Sequence, residues 1–405
     1  MSKLEELIKK MCPDGVEYKK LKEVTDFVQG FAFKNNTFKN EGIGLVRTTN
    51  IQDKSVSKEN MIYIDPKDYV ENLEKYIIRK DRILIGMSGT IKVGINSSDE
   101  LFYLNQRVGM FIPNEKIINN KFLFYILDNS IPELYNLVSG SSVKNLSSNT
   151  LNDFRIAVPP LEVQREIVHI LDDFTLLSAE LSAELKARKN QYNYYLEKLL
   201  CNDKNAKTYK LKELCVFFNG DRGKNYPKVS EMVNKGVPFV NAGDVNRVID
   251  YKNCNKITLE KYNSMNGAKL RKNDILYCLR GSTGKNGIYE LDEGTVASSL
   301  VAIRVNSIIN YKYLYYLLNS SLERRQRYKS DTGAAQPNLS VQSISNYEFP
   351  VPNMEEQNKI VNILDKFEKL CNDISEGLPA EIEARQKQYE YYRDKLLNFK
   401  ELKIC

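Results

Sequence analysis

The sequence predicts an α+β protein in which two homologous domains are each followed by a long helix. Three observations lead to this prediction. The second half of the chain repeats the first at an offset of about 190 residues. The first part of each half mixes short β-branched and aromatic runs with Gly, Asn and Asp turns, a pattern typical of a twisted, mainly antiparallel sheet with helices. The last part of each half changes to the apolar spacing of a coiled-coil helix.

The repeat consists of matched segments that occur in the same order in both halves. LKEVTDFVQG (Leu21–Gly30) corresponds to LKELCVFFNG (Leu211–Gly220), and KFLFYILDNS (Lys121–Ser130) corresponds to KYLYYLLNSS (Lys312–Ser321). The segments PPLEVQREIVHILDDF and PNMEEQNKIVNILDKF begin 193 positions apart. The predicted boundaries are 1–158 for an N-terminal helix and the first domain, 159–202 for the first spacer helix, 203–351 for the second domain and 352–405 for the second spacer helix.

Both spacer helices carry an apolar stripe between charged flanks, so each needs a partner, and the other copy is the natural one. In the first helix the stripe includes Ile167, Ile170, Phe174, Leu177 and Leu181; in the second it includes Ile360, Ile363, Phe367, Leu370 and Ile374. We predict an antiparallel coiled coil with pseudo-twofold symmetry, its seam formed by Ile167, Phe174, Leu181, Ile360, Phe367 and Ile374. A helix of about 40 residues is roughly 60 Å long, so the pair would act as a spacer between the two domains.

Composition limits the classes of protein that the chain can belong to. The net charge is +7, and because both spacer segments are slightly acidic, the positive surplus falls in the two domains. That distribution suits a polyanion such as DNA. The seven cysteines are scattered and His169 is the only histidine, so no zinc-site spacing is present and no metal is predicted. The chain shows no apolar stretch of membrane-spanning length and no signal-peptide pattern, and we expect it in the cytoplasm.

Catalytic motifs are missing from the sequence, and no catalytic residue is predicted. The segment GSTGKNG (Gly281–Gly287) resembles a phosphate-binding loop, but Leu279 stands where the first Gly of that motif belongs and Asn286 where its Ser or Thr belongs. His169 lies in the apolar period of a helix, where a structural role is more common than general-base catalysis.

Candidate DNA contacts are polar residues in turns that recur at matched positions of the two domains. Base recognition needs donors and acceptors on loops or strand ends, with Gly allowing close backbone approach. The alternative for any single residue is an ordinary polar turn. The candidates in the first domain are Lys34, Asn35, Arg47, Thr48, Asn50, Ser88, Thr90, Lys92, Gln106, Arg107 and Lys144. Those in the second are Arg222, Lys224, Asn241, Asp244, Arg247, Arg280, Ser282, Thr283, Lys285, Ser298 and Gln336.

Tyrosine clusters occur near the ends of both spacer helices, in QYNYY and QYEYY. Stacking on nucleic-acid bases is one interpretation, but the helical spacing favours seam packing or a partner-binding face. We predict that Tyr192, Tyr195, Tyr389 and Tyr392 help to dock a partner protein.

The arrangement of these motifs resembles the specificity (S) subunit of type I restriction–modification systems, over essentially the whole chain. The resemblance is carried by MCPDGVEYKKLKEV, VPPLEVQREIVHILDDF and GLPAEIEARQKQYEYYRDKLL, which occur in the order found in that family. It implies a subunit with no catalytic activity that recognises an asymmetric two-part sequence in double-stranded DNA. It also implies two methyltransferase (M) subunits docked on the helices and two restriction (R) subunits. No cofactor is then expected on this chain, because S-adenosylmethionine and ATP with Mg²⁺ would bind the partner subunits.

Two alternatives remain open from the sequence. One is a coiled-coil scaffold that joins two protein-binding domains without DNA. The other is a recognition arm of a methyltransferase-only system that lacks R subunits.

Overall fold

The computed structural model describes residues 3–137, 145–201, 206–330, 338–372 and 377–402, except the side chains of Lys224 and Asn372. The chain forms two compact units. The first unit comprises Met1–Leu181 and Ile382–Cys405, and the second comprises Ser182–Glu381. Each unit therefore contains one domain together with parts of both spacer helices.

Helices and strands alternate irregularly within both domains. The helices are α1 (Lys3–Met11), α2 (Leu21–Val24), α3 (Asn120–Asn129), α4 (Ile131–Asn136), α5 (Ser148–Asp153), α6 (Leu161–Cys201), α7 (Leu211–Leu214), α8 (Leu259–Ser264), α9 (Tyr311–Leu318), α10 (Ser321–Ser330), α11 (Val341–Ser345), α12 (Met354–Asn372) and α13 (Leu378–Leu397). The strands of the first unit are β1 (Glu17–Lys20), β2 (Thr25–Gln29), β3 (Ile43–Val46), β4 (Ile51–Gln52), β5 (Ser55–Val56), β6 (Ile62–Ile64), β7 (Ile77–Ile78), β8 (Ile83–Gly86), β9 (Val93–Ile95), β10 (Phe102–Leu104), β11 (Val108–Pro113) and β12 (Arg155–Val158). Those of the second unit are β13 (Lys207–Lys210), β14 (Cys215–Asn219), β15 (Met232–Val240), β16 (Val245–Asn246), β17 (Val248–Ile249), β18 (Asn255–Ile257), β19 (Ile275–Cys278), β20 (Asn286–Ile288), β21 (Thr295–Val296), β22 (Leu300–Val305) and β23 (Glu348–Val351).

The two domains repeat one sheet topology. The order β2-β11-β8-β9 in the first unit is repeated as β14-β22-β19-β20 in the second. In the first unit this sheet continues through β5 to β4, and a second sheet has the order β6-β3-β10-β7. Neighbouring strands are antiparallel apart from the β3–β10, β5–β9 and β15–β21 pairs, which are parallel. These sheets and the long helix α6 confirm the predicted α+β class.

Each domain is closed by pairing its opening strand with the last strand before its spacer helix. Strand β1 pairs antiparallel with β12, and β13 pairs antiparallel with β23. The β12 strand ends at Val158 and α6 begins at Leu161; β23 ends at Val351 and α12 begins at Met354. The sheet and the spacer helix are thus separated by two residues in each half, with Pro at the first of them.

The first unit also includes a later segment of the chain, whose described residues reach 402. The amide of Val16 donates to the carbonyl of Lys400 over 2.9 Å, and the amide of Leu402 donates back to the carbonyl of Val16 over 2.9 Å. Gly15 precedes this pairing with a φ of +123°, and a Cβ there would lie 2.5 Å from the Lys400 carbonyl oxygen. Only glycine fits this turn, so the CPDG segment is explained by its contact with the C-terminal residues.

In each unit, a tyrosine and a lysine of one domain helix, α3 or α9, donate hydrogen bonds to an aspartate of the spacer helix. In the first unit, Asp172 of α6 accepts from Tyr125 over 2.7 Å and from Lys121 over 2.6 Å. Burial and the bond to Asp172 raise the pKa of Tyr125, so the phenol stays a donor. In the second unit, Asp365 of α12 likewise accepts from Tyr316 and Lys312 of α9. Both spacer helices are therefore fixed to their own domains by polar bonds as well as by apolar packing.

The predicted seam is correct in part. Phe174 stacks on Tyr392 in the first unit, with ring centroids 5.6 Å apart, and Leu181 is buried. In the second unit Phe367 stacks on Tyr195, with centroids 5.4 Å apart. In the same unit Cys371, one turn beyond Phe367, is close enough to Lys189 of α6 for the lysine charge to act on its thiol. The order of these contacts makes the two segments antiparallel within the second unit.

The seam prediction is incomplete for Ile167 and Ile360. Ile167 and Ile360 are buried in the cores of the domains, with residues of α3 and α9, so they are not seam residues alone. Ile363 and Leu370 are exposed, because α12 turns Val361 and Leu364 towards α9 instead. Ile374 lies outside the described residues. Each spacer helix thus begins as a domain helix and only later becomes a seam.

Within the described part of the chain, none of the helices combines the length and the apolarity needed to cross a membrane. In the same ranges, no group of three or more His, Cys, Asp and Glu side chains is arranged to hold a metal ion.

Candidate nucleic-acid interface

The structure brings several predicted contact stretches of the first domain to one place. The backbone amide of Met87 donates to the carbonyl of Arg107 over 2.9 Å, and Oγ1 of Thr48 donates to the same carbonyl over 3.3 Å. Ser88 pairs with Asn145 through an isolated antiparallel bridge. Three separate loops and the segment after residue 144 therefore meet at the end of β8.

The second domain repeats this meeting of loops at equivalent positions. The amide of Leu279 donates to the carbonyl of Ser299 over 2.8 Å, and the amide of Leu339 donates to the carbonyl of Leu279 over 2.9 Å. Arg280 pairs with Asn338 in the same kind of bridge, and its Nε donates to Oδ1 of Asn338 over 3.3 Å. Arg280 therefore occupies the position that Ser88 holds in the first domain.

A glycine follows that position in both domains. Gly89 has a φ of +75° and Gly281 a φ of +76°, and a Cβ added to either residue would meet nothing within 4 Å. These glycines are thus needed for the left-handed turn and not for lack of space. The turn presents Thr90 and Ser282 to solvent, with an open backbone that a ligand can approach closely.

The predicted contact residues differ in exposure. The exposed ones are Lys34, Asn35, Thr90, Gln106, Arg107, Arg222, Arg247, Arg280, Ser282 and Lys285. Those of intermediate exposure are Arg47, Thr48, Ser88, Lys92, Asn241, Asp244, Thr283 and Ser298. Lys144 and Gln336 lie outside the described residues, as does the side chain of Lys224.

Asn50 was predicted as a DNA contact, and the structure shows that this prediction was wrong. Its side chain is fully buried, and its amide nitrogen donates to the carbonyls of Ser57 and Glu59 over 3.2 Å each. Its Oδ1 accepts from the backbone amide of Arg47 over 3.2 Å. With its donors and acceptor satisfied by its own loop, Asn50 shapes the turn and does not reach a base.

Asp244 has the same structural task in the second domain. One carboxylate oxygen accepts from the amide of Asn241 over 2.8 Å, at the position equivalent to the Arg47–Asn50 bond. A carboxylate would also repel DNA phosphates. Asp244 is therefore better explained as a loop-forming residue than as a DNA contact.

Two candidates of the first domain are held elsewhere in the fold. Lys34 donates its backbone amide to Oη of Tyr69 over 3.1 Å, and Asn35 begins the short 3-10 turn that follows. Gly30 makes this path possible, because a Cβ there would lie 2.0 Å from the carbonyl oxygen of Asn105.

The side chain of Arg47 lies against its own domain, with one Nη donating to the carbonyl of Asn60 over 2.9 Å.

A basic helix in the second domain escaped the sequence prediction. Helix α10 contains the run ERRQRYK, and two of its arginines, Arg324 and Arg327, line a cavity together with Arg247, Thr283 and Lys285. The run of cations was visible in the sequence. It was missed because the equivalent helix α4 of the first domain, IPELYN, carries no cation.

Two of the four predicted docking tyrosines, Tyr192 and Tyr389, require correction. Tyr192 is 3% exposed and Tyr389 is 8% exposed, and each belongs to the core of a unit. Tyr195 has intermediate exposure and Tyr392 is 36% exposed, but the most exposed tyrosines of the two clusters are Tyr194, at 60%, and Tyr391, at 63%. The sequence placed several tyrosines together, but the phase of the helix decides which of them a partner can contact.

Two homologous α+β domains that present matched polar turns, each continuing into a long helix, define a recognition protein with two binding domains. A family model described as the type I restriction modification DNA specificity domain matches residues 13–188 and again residues 203–384. The chain belongs to this type I DNA specificity family. It is a non-catalytic DNA specificity subunit of the type I restriction–modification class, with two DNA recognition domains. This membership excludes the scaffold hypothesis without DNA.

Individual relatives agree with this assignment. Over 292 residues the chain is 34% identical to the type I restriction enzyme EcoR124I/EcoR124II specificity subunit of Escherichia coli, covering 69% of this chain and 70% of that protein. A putative type I restriction enzyme specificity subunit of Haemophilus influenzae is 31% identical over 360 residues, covering 84% of this chain and 88% of that protein.

Solved structures show the same fold at low identity. A chain from a study of complex assembly and conformational transition of the type I R-M system has a TM-score of 0.63 at 16% identity, covering 96% of this chain and 98% of that chain. The S subunit from M. genitalium has a TM-score of 0.56 at 17% identity, covering 95% of this chain and 96% of that chain.

Proposed function

We propose that this subunit recognises an asymmetric DNA target of two unlike blocks, one block for each domain, separated by a gap that the spacer helices set. The observation that carries the proposal is the pair of equivalent turns at Ser88 and Arg280. Their backbones share the same bridge and the same glycine turn, but their side chains differ. A common scaffold with different side chains is what two unlike half-sites require.

The difference between these side chains has a chemical consequence. An arginine guanidinium can donate two hydrogen bonds to O6 and N7 of guanine, the commonest specific contact in the major groove. A serine hydroxyl donates or accepts a single bond and discriminates less. We infer that Arg280 contributes more sequence discrimination to its block than Ser88 contributes to the other.

The partner proteins form the second part of the proposal. The exposed Tyr194 and Tyr391 lie in equivalent positions of the two spacer helices, each with its ring edge-on to the next tyrosine, at centroid distances of 5.4 Å. Exposed aromatic pairs of this kind are common anchors of protein interfaces. One such pair on each spacer helix supports two M subunits per chain, together with two R subunits in the complete nuclease.

The cofactors belong to those partners in this proposal. The M subunits bring S-adenosylmethionine for adenine methylation, and the R subunits bring ATP and Mg²⁺. The S subunit itself contributes target recognition and the spacing of the two sites, in the cytoplasm where the DNA is. A methyltransferase-only system remains the alternative, and co-purification with or without an R subunit distinguishes the two.

Mapping methylated adenines across a genome tests the recognition proposal. The chain is expressed with its M partner, and the expected result is one motif of two unlike blocks with a fixed gap of unread bases. A palindromic motif, or a single uninterrupted block, would contradict the proposal.

Shortening both spacers tests their role. Deleting one heptad from each, residues 182–188 of α6 and 379–385 of α13, keeps the seam in phase. Each helix becomes about 10 Å shorter, and we expect the gap to shrink by up to about three base pairs at roughly 3.4 Å per step. The blocks should stay the same. Replacing the same residues with another heptad of equal length is the control and should leave the gap unchanged.

A further inference from the structure

A small cavity in the second unit gathers an unusual number of cations. Its volume is about 230 Å³, and its charged lining consists of Arg247, Lys285, Arg324, Arg327 and the carboxylate of Glu323. Thr283 adds a hydroxyl. Because a water molecule occupies about 30 Å³ in the liquid, a space of this size accommodates a tetrahedral anion with several waters.

Two of the cations are balanced by carboxylates. Nε of Arg327 lies 2.9 Å from Oε1 of Glu323, which is 1% exposed, and Nη2 of Arg324 lies 3.1 Å from Oε1 of Glu197. Burial raises the pKa of Glu323, while hydrogen bonds from Tyr277 and Arg327 act against that rise. These pairs hold the arginines at the cavity wall.

The other two cations have no such balance. Among the described residues, no carboxylate lies within ion-pair distance of Arg247 or Lys285, both of which are exposed. With the pairs to Glu323 and Glu197 counted, the lining keeps a surplus of two positive charges. A concave site with that surplus attracts an anion.

In the first domain, the cation at the equivalent position is paired with a carboxylate. Lys54 occupies the tight turn equivalent to that of Arg247, and both residues have a left-handed φ, +63° and +60°. Lys54 forms an ion pair with Asp128 over 2.7 Å. The residue equivalent to Asp128 is Asn319, whose Nδ2 donates to Oδ1 of Asn286 over 2.9 Å. The second domain has thus kept the cation and replaced its acid by a neutral amide.

We propose that this cavity seats a backbone phosphate of the DNA bound by the second domain. The proposal rests on the DNA-recognition function, and it adds an anchor that only one domain has. A phosphate contact fixes the register of the domain and strengthens binding of any sequence, but it does not itself select bases. Arg247, Lys285 and Arg324 are the cations free or accessible enough to reach the phosphate, and Arg327 supports the wall.

The test uses the S subunit in complex with its M partner and a duplex that carries its mapped target. Arg324→Gln and Arg247→Asn each remove one cation, and Asn is chosen at position 247 because it tolerates a left-handed φ. Arg325→Gln is the matched control, since Arg325 neighbours Arg324 but bonds back to Ser321 of its own helix. The affinity is measured at a series of salt concentrations, and the melting temperature of each variant is recorded.

We expect each cavity variant to make the negative slope of log K against log salt shallower by about 0.9, and to weaken binding about fivefold at roughly 0.15 M salt. The methylated motif should stay unchanged, Arg324→Lys should bind as the wild type does, and Arg325→Gln should change neither slope nor motif.

Three results would overturn the proposal. In the first, the cavity variants behave as Arg325→Gln does; in the second, they alter the sequence of the block, which would mean a base contact. In the third, they lose affinity only as far as they lose folded protein. None of these outcomes affects the two-block target, which the methylation map of the wild-type complex tests on its own.

Discussion

The backbone amide of Asn119 donates to Oε1 of Gln164 over 2.7 Å, and this bond joins the loop before α3 to the first turn of α6. Nε2 of the same glutamine donates to the carbonyls of Ile117 and Pro159, over 3.0 and 2.7 Å. Gln164 is fully buried. One carboxamide therefore ties together the domain, the end of its last strand and the start of the spacer helix.

The second domain contains the same clamp. Gln357 accepts from the amide of Asn310 over 2.8 Å and donates to the carbonyls of Ile308 and Pro352, over 3.0 and 2.9 Å. It too is fully buried. This clamp explains why the helix openings repeat so closely: Gln must stand at the sixth position of each, because only its length and its two-sided hydrogen bonding satisfy all three backbone groups.

Replacing either glutamine by leucine should destabilise the protein. Gln164→Leu and Gln357→Leu each leave one backbone amide and two backbone carbonyls without their glutamine partner, and we expect a loss of about 3 kcal/mol in the free energy of unfolding. Urea denaturation followed by circular dichroism measures this loss. Arg165→Leu, at an exposed position of the same helix, is the control and should change stability by less than about 0.5 kcal/mol. Equal stability of Gln164→Leu and the wild type would show that the clamp is dispensable.

The tyrosine–carboxylate bonds should be unequal between the domains. Oη of Tyr316 donates to Asp365 over 2.6 Å and lies 3.0 Å from Glu368, whereas Tyr125 bonds to one carboxylate, that of Asp172. Hydrogen bonds to charged groups contribute about 1.5–3 kcal/mol each. We therefore expect Tyr316→Phe to lower the free energy of unfolding more than Tyr125→Phe does, and paired urea titrations measure the difference. A larger effect of Tyr125→Phe would contradict this comparison.

Arg280→Ala should relax the sequence preference of one block only. Loss of a guanidinium that contacts a guanine removes about 1–3 kcal/mol of discrimination, which appears as additional methylated sites with substitutions at one position. Ser88→Ala, at the equivalent turn of the first domain, is the matched variant, and any change it causes should fall in the other block. Methylation mapping of both variants provides the measurement. If Arg280→Ala changed both blocks, the assignment of one domain to one block would be wrong.

Docking of the M subunits should depend on the exposed tyrosines. We expect Tyr194→Ser together with Tyr391→Ser to weaken the affinity for the M subunit at least about tenfold, since an anchor tyrosine typically contributes more than 1 kcal/mol to an interface. Tyr328→Ser is the control, because Tyr328 is also exposed but lies on α10 of the second domain. Calorimetric titration of the S subunit with the M subunit measures the affinity. Unchanged binding by the double variant would place the docking surface elsewhere.

Much of the fold could be predicted from the sequence because the two homologous halves give the same pattern twice. The Pro residues at 159 and 352 each stand directly after the last residue of a strand. The strand and helix patterns on either side belong to different periods, so they could be told apart. The loops that meet at Met87 and Leu279 were found because they recur, although no single loop carries a decisive motif.

The residues that were misjudged share one cause. A one-dimensional pattern gives the apolar face of a helix but not the neighbour that covers it, so Ile363 was counted in the apolar stripe although Val361 and Leu364 are the residues buried with α9. The polar character of Asn50 likewise predicted a contact but not its partner, which is its own loop. The cavity formed by Arg247 and Arg324 joins segments far apart in sequence, and only the folded chain brings them together.

The pairing of Val16 with Lys400 and Leu402 sets the order in which the protein can mature on the ribosome. The domain that is synthesised first cannot be completed until residues 400–402 have left the exit tunnel, whereas the second domain can acquire its native contacts earlier. Loss of residues 400–402 should therefore impair folding of the domain that is synthesised first. A stop codon before residue 400 would leave an unfinished N-terminal domain for chaperones and proteases to recognise.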